Sequence, residues 1–109
     1  MSVKVQNIQI ETTDSVKASI SMLADRTLSG VVYVPYVDRI RAYTYYGCKN
    51  VDMFVLPFNP SLSRIEALTF ANCGDITIKC LFPRALWNNI SKATNWADGS
   101  NVTVVCSDD

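Results

Sequence analysis

The chain has 109 residues, with ten basic and ten acidic side chains, so its formal net charge is zero. This length suits one domain or one short stack of repeats. A neutral chain lacks the positive field that nonspecific nucleic-acid binding needs, which argues against a nucleic-acid partner. Apolar residues make up 49% of the chain, but no apolar run approaches the roughly 20 residues of a membrane span.

The first residues predict an extended segment. Four apolar residues alternate there, with a change of parity that indicates a bulge or contact on both faces: Val3, Val5, Ile8 and Ile10. No basic region followed by a continuous apolar stretch is present, so we see no signal peptide. This favours a virion or cytoplasmic location over independent secretion.

A helix is predicted next, over about residues 14–27. Val16, Ile20, Leu23 and Ala24 recur at helical spacing, and Gly30 lies just beyond. A strand remains open as the alternative, because apolar residues also alternate through this stretch. We treat residues 1–29 as a cap or anchor, separate from a unit over 30–109.

Four short apolar runs predict the strands of a narrow parallel sheet. Because side chains alternate across a strand, one parity faces the core. The apolar parity gives two inward columns: Val32, Phe54, Ile78 and Val104, and Val34, Leu56, Cys80 and Cys106. The other parity forms an unusually apolar outer face: Val31, Met53, Thr77 and Thr103, with Tyr33, Val55, Lys79 and Val105.

Two segments between these runs, 39–51 and 64–76, are nearly the same. Arg, Ile, Ala, Thr and Cys recur at an offset of 25 residues, and Tyr45 corresponds to Phe70. Self-similarity at such a period is typical of a solenoid, in which each repeat buries its apolar face by stacking on the next. Within the repeats, 42–47 and 67–72 are predicted as tight turns.

The C-terminal part predicts a cap. Pro83 suits the first position of a helix, and Leu86, Trp87, Ile90 and Ala93 follow at helical spacing. This helix is expected to replace a third copy of the repeat and to seal the end of the stack, with Trp87 and Trp96 as lids.

The four cysteines occupy matched positions of the repeat, Cys48 with Cys73 and Cys80 with Cys106. This pattern favours buried free thiols in a reducing compartment. Disulfides remain open, because stacked coils bring equivalent Cα atoms to roughly 5 Å.

Residues that carry out common chemistry are missing from the sequence. There is no histidine, no Cys-x-x-Cys pair and no glycine-rich phosphate loop. We therefore expect no enzyme activity, no catalytic residue, no metal site and no cofactor.

The repeat resembles the BspA-like leucine-rich-repeat family over about residues 30–108. The shared motif places an isoleucine, an aromatic residue, a cysteine and an aliphatic residue at fixed spacing, as in Ile40, Tyr45, Cys48 and Val51, and again in Ile65, Phe70, Cys73 and Ile76. Two positions depart from it, with Arg41 and Glu66 where the family often has glycine. The resemblance implies an α/β repeat fold, a short leucine-rich-repeat solenoid with a C-terminal capping helix-strand unit; the N-terminal strand and helix predicted above lie outside it, because residues 1–29 match nothing in that family. It also implies protein–protein contact, adhesion or surface display.

Together these features predict a non-catalytic structural or interaction module in a homo- or hetero-oligomeric assembly. The candidate interface residues are Val3, Val5, Ile8, Ile10, Tyr33, Met53, Val55, Lys79 and Val105. A phage virion component, such as a capsid decoration protein, head fibre or tail accessory protein, fits this description. The alternative is a BspA-like cell-surface module for adhesion or host binding.

Overall fold

A computed structural model of the chain describes the backbone of residues 19–20 and the whole of residues 27–109. In chain order its elements are β1 (Ser19–Ile20), β2 (Gly30–Tyr33), β3 (Arg39–Ile40), β4 (Val51–Leu56), β5 (Arg64–Ile65), β6 (Gly74–Cys80), α1 (Arg84–Asn89), β7 (Ser91–Lys92) and β8 (Ser100–Val105).

The strands form two parallel sheets. The long sheet has the order β2-β4-β6-β8, and the short sheet has the order β1-β3-β5-β7. Every pairing is parallel, and each sheet takes every second strand of the chain. The chain is therefore a β-solenoid of about three turns.

The register of the long sheet confirms the predicted inward columns. Val32 lies beside Phe54, Phe54 beside Ile78, and Ile78 beside Val104. Phe54 and Ile78 are fully buried. In the second column, Leu56 lies beside Cys80, and both side chains are buried. Like residues thus stack on like residues, as the sequence offset requires.

The two copies of the repeat turn in the same way. Tyr43 and Leu68 both adopt a left-handed backbone, with φ of 65° and 58°. The threonine that follows each is buried and donates its hydroxyl to a carbonyl three residues back, from Thr44 to Arg41 at 2.8 Å and from Thr69 to Glu66 at 2.7 Å. These bonds satisfy polar groups that would be costly to bury alone.

Aromatic rings fill the middle of the core. Phe70 lies 5.4 Å from Tyr45, 4.9 Å from Phe54 and 6.1 Å from Trp96, measured between ring centroids. The Trp96 ring in turn contacts Trp87 at 5.7 Å. The two tryptophans therefore extend the aromatic cluster into the last turn, and their role as lids stays a prediction.

The N-terminal helix prediction is wrong where it can be compared. Ser19–Ile20 form a strand that pairs with Arg39–Ile40, because this segment supplies the first strand of the short sheet. The other residues of 14–26 lie outside the described part of the chain. The role of residues 1–29 as a cap or anchor stays a prediction.

The C-terminal helix is shorter than predicted, and the third copy of the repeat is present after it. The helix ends at Asn89, because Ser91–Lys92 pair with Arg64–Ile65 as the last strand of the short sheet. The following turn stacks on the second copy through bonds from the Phe70 and Asn72 amides to residues 96 and 98. Pro83 lies at the N-cap rather than at the first helical position.

Lys92 occupies the position in the last turn that Ile40 and Ile65 hold in the earlier turns. Its ammonium donates to the Trp87 and Ile90 carbonyls at 2.9 and 2.8 Å, and lies 4.3 Å from the centre of the Trp87 ring. Burial lowers the pKa of this amine. A charged side chain thus replaces an apolar one where the stack ends, which is typical of a capping repeat.

Candidate interaction surface

The outer face of the long sheet is built in two rows. Register places Val31, Met53, Thr77 and Thr103 in one row, and Tyr33, Val55, Lys79 and Val105 in the other. The predicted parity is therefore confirmed, since the partner column on the other side of the sheet forms the core.

Exposure divides the predicted interface residues. Tyr33 on β2 is 73% exposed and Val105 on β8 is 38% exposed. Lys79, on β6 between those two strands, is also exposed. Met53 is half-buried. Val55 is only 5% exposed, so its place among the exposed interface residues is corrected: it shares the outer parity but presents almost no surface.

Three further exposed apolar residues lie just beyond the ends of the strands, and sequence reasoning missed them. Tyr36, Phe58 and Leu81 are 59%, 55% and 47% exposed. Leu81 has the same parity as Lys79, and its amide donates to Leu56, so it continues the outer face by one position. Tyr36 and Phe58 each follow a proline that ends a strand, a shared signal that the sequence contained.

We call the set of Tyr33, Tyr36, Phe58, Leu81 and Val105 the apolar band. Its members lie on, or just beyond, the C-terminal ends of all four strands of the long sheet. Lys79 supplies a positive charge within it. The N-terminal candidates, Val3, Val5, Ile8 and Ile10, lie outside the described residues and stay a prediction.

The cysteines are placed for packing rather than for reaction. All four are buried, and none of them forms a disulfide within the described part of the chain. Burial, with a smaller effect from neighbouring Cys106, raises the pKa of the Cys80 thiol to about 12. Since the thiolate is the nucleophile, such a thiol is unreactive near neutral pH.

A shallow cleft of about 200 Å³ lies between the 59–63 connection and α1. Small-molecule sites usually have about 300–1,000 Å³ and a few convergent polar groups. The lining here is Leu62, Phe82, Leu86 and Ile90 with Pro60, Ser63 and two asparagines, none of them titratable near neutral pH. Within residues 19–20 and 27–109, no group of three or more acidic, cysteine or histidine side chains is placed to hold a metal ion.

Among the described residues, no helix is both long and apolar enough to cross a bilayer. Comparisons of the chain with protein-family models, with curated proteins and with solved structures found no significant match.

Proposed function

We propose that the protein is a non-catalytic structural or interaction module that works inside a larger assembly. The observation that carries this proposal is the apolar band. Five large apolar side chains stand between 38% and 73% exposed on one end of the long sheet. Clustered exposed apolar residues of this kind mark interaction sites, whereas single ones need no explanation.

The composition of the band suits a protein partner. Two tyrosines and a phenylalanine dominate it, and aromatic residues are enriched in the cores of protein interfaces. Tyr33 and Val105 are the last residues of hydrogen-bonded parallel strands, so the backbone that carries them is already ordered before a partner docks. Lys79 adds one charge that an acidic group of the partner would match.

The solenoid and the repeat motif support a finer proposal, that the chain is a short leucine-rich-repeat array of the BspA-like kind. The stacked positions of Ile40 and Ile65, and of Tyr45 and Phe70, are those that the motif matches. Within that proposal we favour a phage virion component, with residues 1–29 as its anchor. The alternative is a cell-surface adhesion or host-binding module.

The test uses the double variant Tyr33→Ser, Phe58→Ser. Both side chains are largely exposed, so the fold should be retained while the band is lost. Tyr43→Asn is the matched control: Tyr43 is 46% exposed, lies in a repeat turn away from the band, and has the left-handed backbone that asparagine tolerates.

Tagged proteins would be expressed in the native source and followed by density-gradient fractionation. We expect the wild type and Tyr43→Asn in the heavy, assembly-containing fractions and the double variant in the light fractions. Wild-type protein in a particle fraction supports the virion proposal, and wild-type protein in a cell-envelope fraction supports the alternative. Co-sedimentation of the double variant at the wild-type level would overturn the role of the band.

A further inference from the structure

The second surface of interest is the free edge of β8, the last strand of the long sheet in the described part of the chain. Its sequence, Ser100–Val105, contains no charge and no proline, the devices that usually protect an edge strand from pairing. Val102 and Val104 face the core side and are only half-buried.

Backbone alternation decides which groups of β8 point to the edge. The Leu81 amide donates to the Leu56 carbonyl, so the backbone N–H and C=O groups of residue 81 point toward β4. Those of the opposite parity, including Phe82, point toward β8. The Ser107 amide donates to the Phe82 carbonyl, so the backbone groups of the odd-numbered residues of β8 point toward β6. Residues 100, 102, 104 and 106 therefore point to the free edge.

Part of this edge is already closed by the chain itself. Arg84 donates to the Val104 carbonyl at 3.0 Å, and the Asp109 carboxylate accepts the Cys106 amide at 2.8 Å. The Ser100 amide donates to Ala97 at 3.0 Å. Arg84 also pairs with Asp109, and this pairing lowers the pKa of the Asp109 carboxyl.

Four edge groups are left without a partner among the described residues: the Ser100 carbonyl, the Val102 amide and carbonyl, and the Val104 amide. This set is complementary to itself. In an antiparallel pairing with a two-fold axis at Val102, the two Val102 residues exchange both bonds, and each Val104 amide meets the Ser100 carbonyl of the other chain. This register leaves the Val104 carbonyl and the Ser100 amide unused, and these are the two groups that Arg84 and Ala97 already satisfy.

We propose that β8 pairs with β8 of a second copy about a two-fold axis at Val102, which joins two solenoids end to end. The pairing forms four hydrogen bonds and one continuous sheet across both chains. The uncharged strands approach without repulsion, and the half-buried Val102 side chains meet across the axis. The Arg84–Asp109 pair closes the edge beyond Val104 and fixes where pairing stops. This interface is separate from the apolar band.

The first test is Val102→Pro, read by analytical ultracentrifugation over a concentration series. Because the Val102 amide points to the edge, proline removes no bond within the chain and two of the four bonds between chains. We expect wild-type protein to reach twice the chain mass of 12.1 kDa, and the variant to dissociate with a constant raised about tenfold or more. Val102→Thr, which keeps the amide and the branched shape, should associate like the wild type. Association of Val102→Pro at the wild-type level would overturn the proposal.

Two further measurements do not depend on the proline variant folding. In wild-type protein, the Val102 and Val104 amides should exchange slowly only in the associated state, while the Asn101 and Thr103 amides are protected at every concentration. Fast exchange at Val102 under all conditions would overturn the pairing.

The variant Val102→Cys should form a disulfide-linked dimer with oxidised glutathione. Paired Cα atoms across the axis lie about 5.5 Å apart, within the range that a disulfide spans. Asn101→Cys is the control, because its symmetry mates lie about 7–8 Å apart on the diagonal. Protection of the Val102 amide without crosslinking of Val102→Cys would show that a different strand fills the edge, and would refute the two-fold pairing.

Discussion

Replacement of Phe70 by alanine should strongly destabilise the stacked core. Phe70 is fully buried and its ring contacts three others, those of Tyr45, Phe54 and Trp96. Phe→Ala changes in cores cost about 3–5 kcal/mol, and each aromatic pair adds about 0.5–1.5 kcal/mol beyond its buried area. We therefore expect the free energy of unfolding to fall by about 5 kcal/mol, the top of that range.

A loss of this size is comparable to the whole stability of many domains, about 5–15 kcal/mol. The milder variant Phe70→Leu, with an expected loss of about 1–2 kcal/mol, keeps the measurement in range. Urea unfolding would be followed by circular dichroism and tryptophan fluorescence, since Trp96 contacts the replaced ring. Phe58→Ala is the control: Phe58 is 55% exposed, so its replacement should change stability by about 0.5 kcal/mol or less. Equal losses for Phe70→Ala and Phe58→Ala would refute the stacked aromatic core.

Four other predictions concern the end of the stack, the turns and the thiols. Lys92→Ala should lower the unfolding free energy, measured in urea, by about 1–3 kcal/mol, because two hydrogen bonds and the ring contact are lost. Lys49 is exposed, so Lys49→Ala should have no measurable effect on stability. Equal effects of the two substitutions would contradict a capping role for Lys92. Gly99→Ala and Gly30→Ala both place a side chain on a left-handed backbone, but only at Gly99 would the new methyl meet another group, the Asn72 side-chain amide. Thermal melts should therefore show a larger fall in melting temperature for Gly99→Ala, and equal falls would contradict this contact. Burial raises the Cys80 pKa from 9.0 to about 12, so its contribution to stability is fully present below about pH 9 and is lost as the pH rises toward 12, because only the unfolded chain releases the proton. Urea unfolding at increasing alkaline pH should therefore show a smaller decline for Cys80→Ala than for the wild type, and equal declines would contradict the raised pKa. Alkylation at neutral pH should be slow in the folded protein and reach four thiols on unfolding, whereas fewer than four would indicate a disulfide.

The repeat and the strand parity could be read from the sequence. The matched positions of Ile40 and Ile65, and the alternation around Phe54 and Ile78, gave the correct columns because stacked strands must keep one register over several turns. The short sheet was not predicted, since two-residue strands such as Arg64–Ile65 leave no alternation to detect.

The third copy of the repeat was not predicted because its residues differ from the motif. Lys92 stands where the motif has isoleucine, and the helical spacing of Leu86, Trp87 and Ile90 runs on without a break into β7. Local spacing therefore predicted a longer helix, but pairing with Arg64–Ile65 overrides it, since tertiary contacts routinely outweigh helix propensity.

The candidate surface could be predicted only in part. Parity identifies Tyr33 and Val55 equally, yet one is 73% and the other 5% exposed, because exposure depends on how neighbouring strands and their side chains cover each position. The open edge of β8 could not be found from sequence at all. It follows from backbone groups, from Arg84 donating to the Val104 carbonyl 20 residues further along the chain, and from Asp109 accepting the Cys106 amide.

The most direct test of the account is a nuclear magnetic resonance measurement of contacts between side chains in adjacent turns. In isotope-labelled protein, the Phe54 ring protons should show nuclear Overhauser contacts to the methyl groups of Val32 and Ile78, and Ile78 should show contacts to Val104. Absence of these contacts in the folded protein, or contacts typical of antiparallel hairpins in their place, would contradict the parallel solenoid.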